Sequence, residues 1–143
     1  MKKKISIITP TYNEEGNIKK LCNEIAMEMK KLNYLYEHIV IDNSSTDDTI
    51  NILKNLASND KNLKIIINTR NFGHIKSPIH GLLQAGGDAI ILMSADFQDP
   101  ISLIPIYISE WEKGHSVVMG QKETSDENKI FHLFKKFFYK FIK

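Results

Sequence analysis

The residues with the most chemistry to offer lie in Ser94-Ala95-Asp96-Phe97-Gln98-Asp99-Pro100. Asp96 and Gln98 stand one residue apart, so both side-chain oxygens can reach one hard cation. Such a cation takes few protein ligands and completes its shell with waters and phosphate oxygens. The preceding run, Ala89-Ile90-Ile91-Leu92-Met93, is short, continuous and β-branched, which predicts a buried strand. Pro100 forbids further ladder bonding. Carboxylates at the carboxyl end of a buried strand stand where open α/β sheets bind ligands. A plain polar turn explains the same residues, so the rest of the chain must decide.

The elements that would position these groups follow from the apolar spacing. Lys4 to Thr9 predicts a first strand with Ile5, Ile7 and Ile8 as its core, ended by Pro10 and followed by a polar loop, Thr11 to Asn17. Ile18, Leu21, Cys22, Ile25 and Met29 repeat at helical spacing. Glu37 to Asp42 predicts a second strand. Asn43 to Asp48 then reads as a turn, with Ser45 or Thr46 capping a helix that buries Ile50, Leu53, Leu56 and Ala57. Leu63 to Ile67 predicts a third strand and Asn68 to Ser77 a long polar connection. Pro78 to Ala85 reads as a short helix with proline in its first turn. Ser102 to Lys113 predicts another helix, open to disturbance at Pro105 and stopped by Gly114, and Ser116 to Met119 a last short strand. This alternation predicts an α/β domain with a mainly parallel central sheet and helices on both faces. Its strand ends share one edge, which gathers Tyr12, Glu14, Asp42, Ser94, Asp96 and Gln98 into a crevice.

The bulk numbers narrow the class. A chain of 143 residues is one domain on length, and a net charge of +2 gives no general nucleic-acid signal. The single cysteine, Cys22, excludes an internal disulfide and a multi-cysteine metal site, and its apolar surroundings predict a packed thiol. Lys2-Lys3-Lys4 before Ile5 to Ile8 is too short in its apolar part for a signal peptide. No run approaches the roughly 18 apolar residues of a membrane span. The expectation is a cytoplasmic chain, free or peripheral to a membrane.

In the crevice, an aromatic ring beside a carboxylate suits a nucleoside. Tyr12 would stack on or flank the base, and Asp42 would accept from a base or ribose donor. No Gly-x-Gly-x-x-Gly follows the first strand and no Gly-x-x-x-x-Gly-Lys-Ser/Thr is present, so a dinucleotide fold and a P-loop are both disfavoured. A diphosphate would then need a cation and a basic side chain. Arg70 and Lys76 are the candidates, and solvated loop charges explain them as well.

Four ordered stretches carry a resemblance. They are Thr9-Pro10-Thr11-Tyr12-Asn13-Glu14-Glu15-Gly16-Asn17-Ile18, the strand ending at Asp42 before Asn43-Ser44-Ser45-Thr46-Asp47, Arg70-Asn71-Phe72-Gly73-His74, and Ser94 to Pro100. Over about residues 4 to 122 the chain resembles family 2 glycosyltransferases, in the branch of the polyprenyl-phosphate sugar transferases. The resemblance implies a GT-A fold, a nucleotide-sugar donor, inverting transfer and a divalent cation, magnesium or manganese. It implies that Pro10, Tyr12 and Glu14 hold the nucleoside, Asp42 meets the base, and Asp96 and Gln98 bind metal and diphosphate. Many family members carry Asp where this chain has Ser94, which brings no charge and leaves Asp96 as the main ligand. Asp99 is the other carboxylate at hand, as a support or facing the acceptor. A lipid-phosphate acceptor is already anionic and needs no strong base, whereas a sugar hydroxyl would need one.

From Lys129 onward the composition changes. Ile130, Phe134, Phe137 and Phe141 share one helical face, and Lys135, Lys136, Lys140 and Lys143 gather on the other. A basic, Phe-rich amphipathic helix reads as a membrane-surface helix, or as one that packs on the domain or on a second subunit. The expected division is a nucleotide-sugar-binding domain over 1–122 and this helix over 123–143, and a homo-oligomer is consistent with it. The expected acceptor is a polyprenyl phosphate or a glycan at the inner face of the cell membrane. The donor is expected to be a UDP-sugar ahead of a GDP-sugar. The chain resembles the donor-binding part of a longer enzyme. A non-catalytic nucleotide-sugar-binding module is the main rival. A nucleotidyltransferase is disfavoured, because Tyr12-Asn13-Glu14-Glu15 stands where its Gly-rich basic loop would be.

Overall fold

The computed structural model describes residues 2–121. Its elements are β1 (Lys4–Thr11), α1 (Ile18–Lys31), β2 (Leu35–Asp42), α2 (Thr49–Asn59), β3 (Leu63–Ile67), α3 (Gly73–Leu83), β4 (Ala89–Leu92) and α4 (Leu103–Glu112). The strands form one parallel sheet in the order β3-β2-β1-β4. All carboxyl ends therefore lie on one edge, as the alternation of elements required.

The two faces of the sheet are set by strand parity, since successive side chains point to opposite sides. Ile5, Ile7, Val40 and Ile91 pack with Ile18, Leu21 and Ile25 of α1, Leu53 of α2, and Ile104 and Ile108 of α4 in the main core. Cys22 is buried there, and burial pushes its thiol up to about 12, so it is an inert packing group. The other face carries Ile8 and Ile41, both fully buried under α3. The close approach depends on Gly81, where an added Cβ would stand 2.9 Å from Ile8 Cγ2 and 3.2 Å from Ile41 Cγ2.

Several boundaries differ from expectation. β1 runs through Pro10 to Thr11. The reason is positional: the Ile8 carbonyl accepts from Met93 on the β4 side and the Thr11 carbonyl from Asn43 on the β2 side. Pro10 therefore turns its missing N–H toward β4, past the last β1–β4 pair, Ile8 with Leu92, and forfeits no ladder bond. α2 starts at Thr49 with Asp48 before it, so neither Ser45 nor Thr46 caps it, and Ile52 rather than Ile50 packs on the core. α3 starts at Gly73, five residues before Pro78, which sits inside the helix. Ser116 to Met119 forms no strand, and Val117 and Met119 are exposed, without a ladder partner among the described residues. Among the described residues β4 is thus one edge of the sheet, with Ile90 and Leu92 half exposed. Among the described residues no helix is long and apolar enough to cross a membrane.

Candidate functional site

Four loops leave the carboxyl edge, and three of them contain a non-glycine residue in the left-handed region. These are Asn13 after β1 (φ 55°), Ser44 after β2 (φ 67°) and Phe97 after β4 (φ 59°). Such backbone conformations are costly for residues with a Cβ and persist where surrounding contacts impose them, commonly at binding sites.

The first two loops are laced into one unit. Asn13 N donates to Ser45 Oγ at 2.9 Å, and Thr46 N donates to Asn13 Oδ1 at 2.8 Å. Glu15 N donates to Asp47 Oδ2 at 3.1 Å, and Asp48 N returns a bond to Glu15 Oε2 at 2.9 Å. Glu14 N donates to Thr49 Oγ1 at 2.8 Å, while the Glu14 carboxylate accepts from Asn17 Nδ2 at 2.9 Å. Asp42 anchors the lattice, since its carboxylate accepts from both Ser45 N and Ser45 Oγ.

The structure divides the expected site residues among separate surfaces. Pro10 and Tyr12 line a cleft of about 430 Å³ between the β1 and β2 ends and α3, together with Asn43, Asn71, His74 and Pro78. Tyr12 is 45% exposed, with its ring available to a ligand. Asp42 is 0% exposed and does not line this cleft. Parity explains it. Register pairs Pro10 with Ile41 and Thr11 with Asp42, so Asp42 points to the α1 and α2 side, and its neighbour Asn43 points to the α3 side. Asn43, with Asn68, Asn71 and Ser77, makes an amide network under the cleft that sequence reasoning missed. Asn68 Nδ2 donates to Ser77 Oγ at 2.9 Å and to Asn43 Oδ1 at 3.2 Å. The available signal was the alternation Glu37, Ile39, Ile41, Asn43, which places Asn43 on the face of the buried isoleucines.

Lys76 lies on α3 rather than on a loop, and lines a neighbouring cleft with Phe72 and His80. Arg70 stacks on the Phe72 ring, 4.9 Å from its centroid. The acidic loop follows β4, next to β1. Asp96 and Gln98 are exposed, with Gln98 N donating to Asp96 Oδ1 at 3.1 Å. Ser94 Oγ reaches Asp99 Oδ2 at 3.5 Å. Asp99 also borders a cleft of about 700 Å³ that runs along β4 and α4. Lys20 of α1 lies over the Phe97 ring at 4.9 Å and ties the loop to the core helix.

Among the described residues no group of three His, Cys, Asp or Glu side chains could enclose a metal ion. The loop instead offers an exposed, all-oxygen donor set of one or two carboxylates and an amide. That set suits a hard cation whose shell is mostly water and phosphate, and does not suit a soft or fully caged one.

The parallel sheet with helices on both faces, together with its likeness to solved glycosyltransferase structures, gives the chain the GT-A class of fold. The model of glycosyl transferase family 2 matches residues 6–141, and the chain belongs to that family. It is 36% identical over 138 residues to the putative glycosyltransferase CsbB of Bacillus subtilis, covering 96% of this chain and 42% of that protein. It is 33% identical to the bactoprenol glucosyl transferase of Shigella phage SfV, covering 96% of this chain and 45% of that one. The solved structure of Staphylococcus aureus TarS 1-349 in complex with UDP-GlcNAc shares 27% identity at a TM-score of 0.60, over 85% of this chain and 38% of that one. The chain thus spans less than half the length of these relatives.

Proposed function

We propose that this chain is the donor-binding part of an inverting, cation-dependent glycosyltransferase that moves a sugar from a nucleotide-sugar, UDP ahead of GDP, to a polyprenyl phosphate at the cytoplasmic membrane face. The observation that carries this reading is the cleft of Pro10, Tyr12 and Asn43 beside the acidic loop on one sheet edge. The similarity to a bactoprenol glucosyl transferase supports the acceptor class, and the similarity to a protein solved with UDP-GlcNAc supports the donor class.

Tyr12 stacks on the base, and Pro10 with the laced β1 and β2 loops walls its side. Asp42 acts through Ser45, holding the loop that presents Tyr12, and Glu14 fixes the start of α1. Asp96 and Gln98 would hold magnesium or manganese, which when bound neutralises charge on the departing nucleoside diphosphate. Ser94 holds Asp99 in place, and Asp99 faces the acceptor side. Arg70 and Lys76, exposed near the cleft, add positive charge for the diphosphate. A phosphate acceptor arrives ionised, so the attack at the anomeric carbon requires no strong base from this chain. The basic, Phe-rich face expected over 129–143 lies outside the described residues. In this reading it meets the membrane surface, where each lysine adds about 1 kcal/mol on an anionic leaflet.

Calorimetric titration of UDP and GDP, with and without manganese, tests the reading on the parent and on Asp96→Ala. The expected result is manganese-dependent UDP binding in the parent, weakened at least tenfold in the variant. Equal binding with and without manganese, or no loss in Asp96→Ala, overturns the assignment of the acidic loop.

A further inference from the structure

The cleft offers the base no carboxylate, and the amide at its β2 end has no hydrogen-bonding capacity left over; this inference rests on the nucleoside reading above. No Asp or Glu lines the cleft. The side chain that points into it from the β2 end is Asn43, whose carboxamide has two acceptor positions and two donor hydrogens. All are engaged within the protein. Oδ1 accepts from Phe72 N at 2.9 Å and Asn68 Nδ2 at 3.2 Å. Nδ2 donates to Asn71 Oδ1 at 2.8 Å and to the Gly73 carbonyl at 3.4 Å. Asn71 Oδ1 is itself shared with Gly73 N at 2.8 Å. The nearest carboxylate in sequence, Asp42, faces the opposite side of the sheet and is spent on Ser45. What remains is the exposed Tyr12 ring, with the Asn71 amino group and the His74 imidazole in the cleft wall. An imidazole can present a donor or an acceptor nitrogen and so meets either form of N3, and stacking is base-tolerant because every base has a π-face.

We propose that the cleft holds the pyrimidine by stacking on Tyr12 with no carboxylate to read N3, so that uridine and cytidine diphosphates bind almost equally. Uracil carries a hydrogen on N3 and cytosine a lone pair. A carboxylate aimed at that atom would form a charge-assisted bond with the first and repel the second. It would separate the two by about tenfold or more. With Asn43 saturated, the N3 edge stays hydrated or meets neutral groups, and selection of the donor falls to the sugar and diphosphate.

The test is calorimetry of UDP, CDP and N3-methyl-UDP with manganese present, on the parent chain and on Asn43→Ala. The expected result is UDP and CDP dissociation constants within about threefold of each other. Asn43→Ala, which breaks the amide network, should weaken both by the same factor and leave their ratio unchanged. A UDP preference above threefold in the parent overturns the proposal, and collapse of that preference in Asn43→Ala would assign base reading to Asn43 itself. The parent comparison stands alone if the variant does not fold. Absence of binding by every nucleotide to a chain with native circular dichroism would sink the nucleoside reading, an outcome distinct from an unequal ratio.

Discussion

Replacing Glu37 with glutamine separates the stability of this sheet from the chemistry of its opposite edge. Glu37 lies near the amino end of β2 and is 2% exposed. It accepts from Ser6 Oγ at 2.7 Å, Lys64 Nζ at 2.6 Å and Gly86 N at 2.9 Å, and Lys4 Nζ stands 2.9 Å away. These bonds join β1, β2, β3 and the turn into β4 through one carboxylate. Burial alone raises the Glu37 pKa, but the bonds from Lys64, Ser6, Lys4 and Gly86 outweigh it and hold the group at about 2, against an ordinary 4.5. A carboxyl depressed in the folded state gives its full stabilisation above the unfolded value, and that stabilisation is lost as pH falls from about 4.5 to about 2. The gap corresponds to about 3 kcal/mol. Because the two lysines are partly in water, which screens their share, the expected loss in Glu37→Gln at pH 7 is about 1–3 kcal/mol. Urea unfolding of parent and variant from pH 7 down to pH 2.5 measures it. The difference should be largest at neutral pH and close toward pH 2.5, with UDP affinity at pH 7 unaltered. A variant as stable as the parent at pH 7, or a difference that ignores pH, refutes the reasoning.

A second pH window belongs to His38, on the other face of β2, with Nε2 2.9 Å from Thr9 Oγ1. Burial lowers its pKa from 6.5 to about 4, so the unfolded chain takes up a proton that the folded one refuses. Stability should therefore fall by up to about 3 kcal/mol as pH drops from about 6.5 to about 4, and urea unfolding of His38→Gln should lack that descent. At the cleft, Tyr12→Ala removes a half-exposed ring whose stacking on a base is worth about 1–3 kcal/mol. UDP binding by calorimetry should weaken about tenfold or more, while the unfolding free energy stays within about 0.5 kcal/mol.

The strands were legible because buried isoleucine runs bounded by Pro, Asp and Gly have few alternatives. Leu63–Ile67 was read to the residue, and β4 to within one. The starts of α1 and α4 were legible too, to within one residue, but those of α2 and α3 were not. Ser45 has the type and place of a cap, yet its hydroxyl bridges Asp42 and Asn13 between two loops, a use decided by partners more than thirty residues apart. Pro78 signals a first turn by local propensity, but α3 begins five residues earlier, where Asn43 and Asn68 hold the Gly73 carbonyl and the Ser77 hydroxyl. Pro10 signals a strand end, and only the shortness of β4 shows why the strand can continue.

The sequence by itself determined the α/β order, the single parallel sheet and the edge on which Tyr12 and Asp96 emerge, because hydrophobic period and chain direction are local properties. Tertiary structure alone decided which of two adjacent residues, Asp42 or Asn43, looks into the cleft. That depends on strand parity against β1 and on which face α3 covers, and a shift of one residue in register would have exchanged their roles.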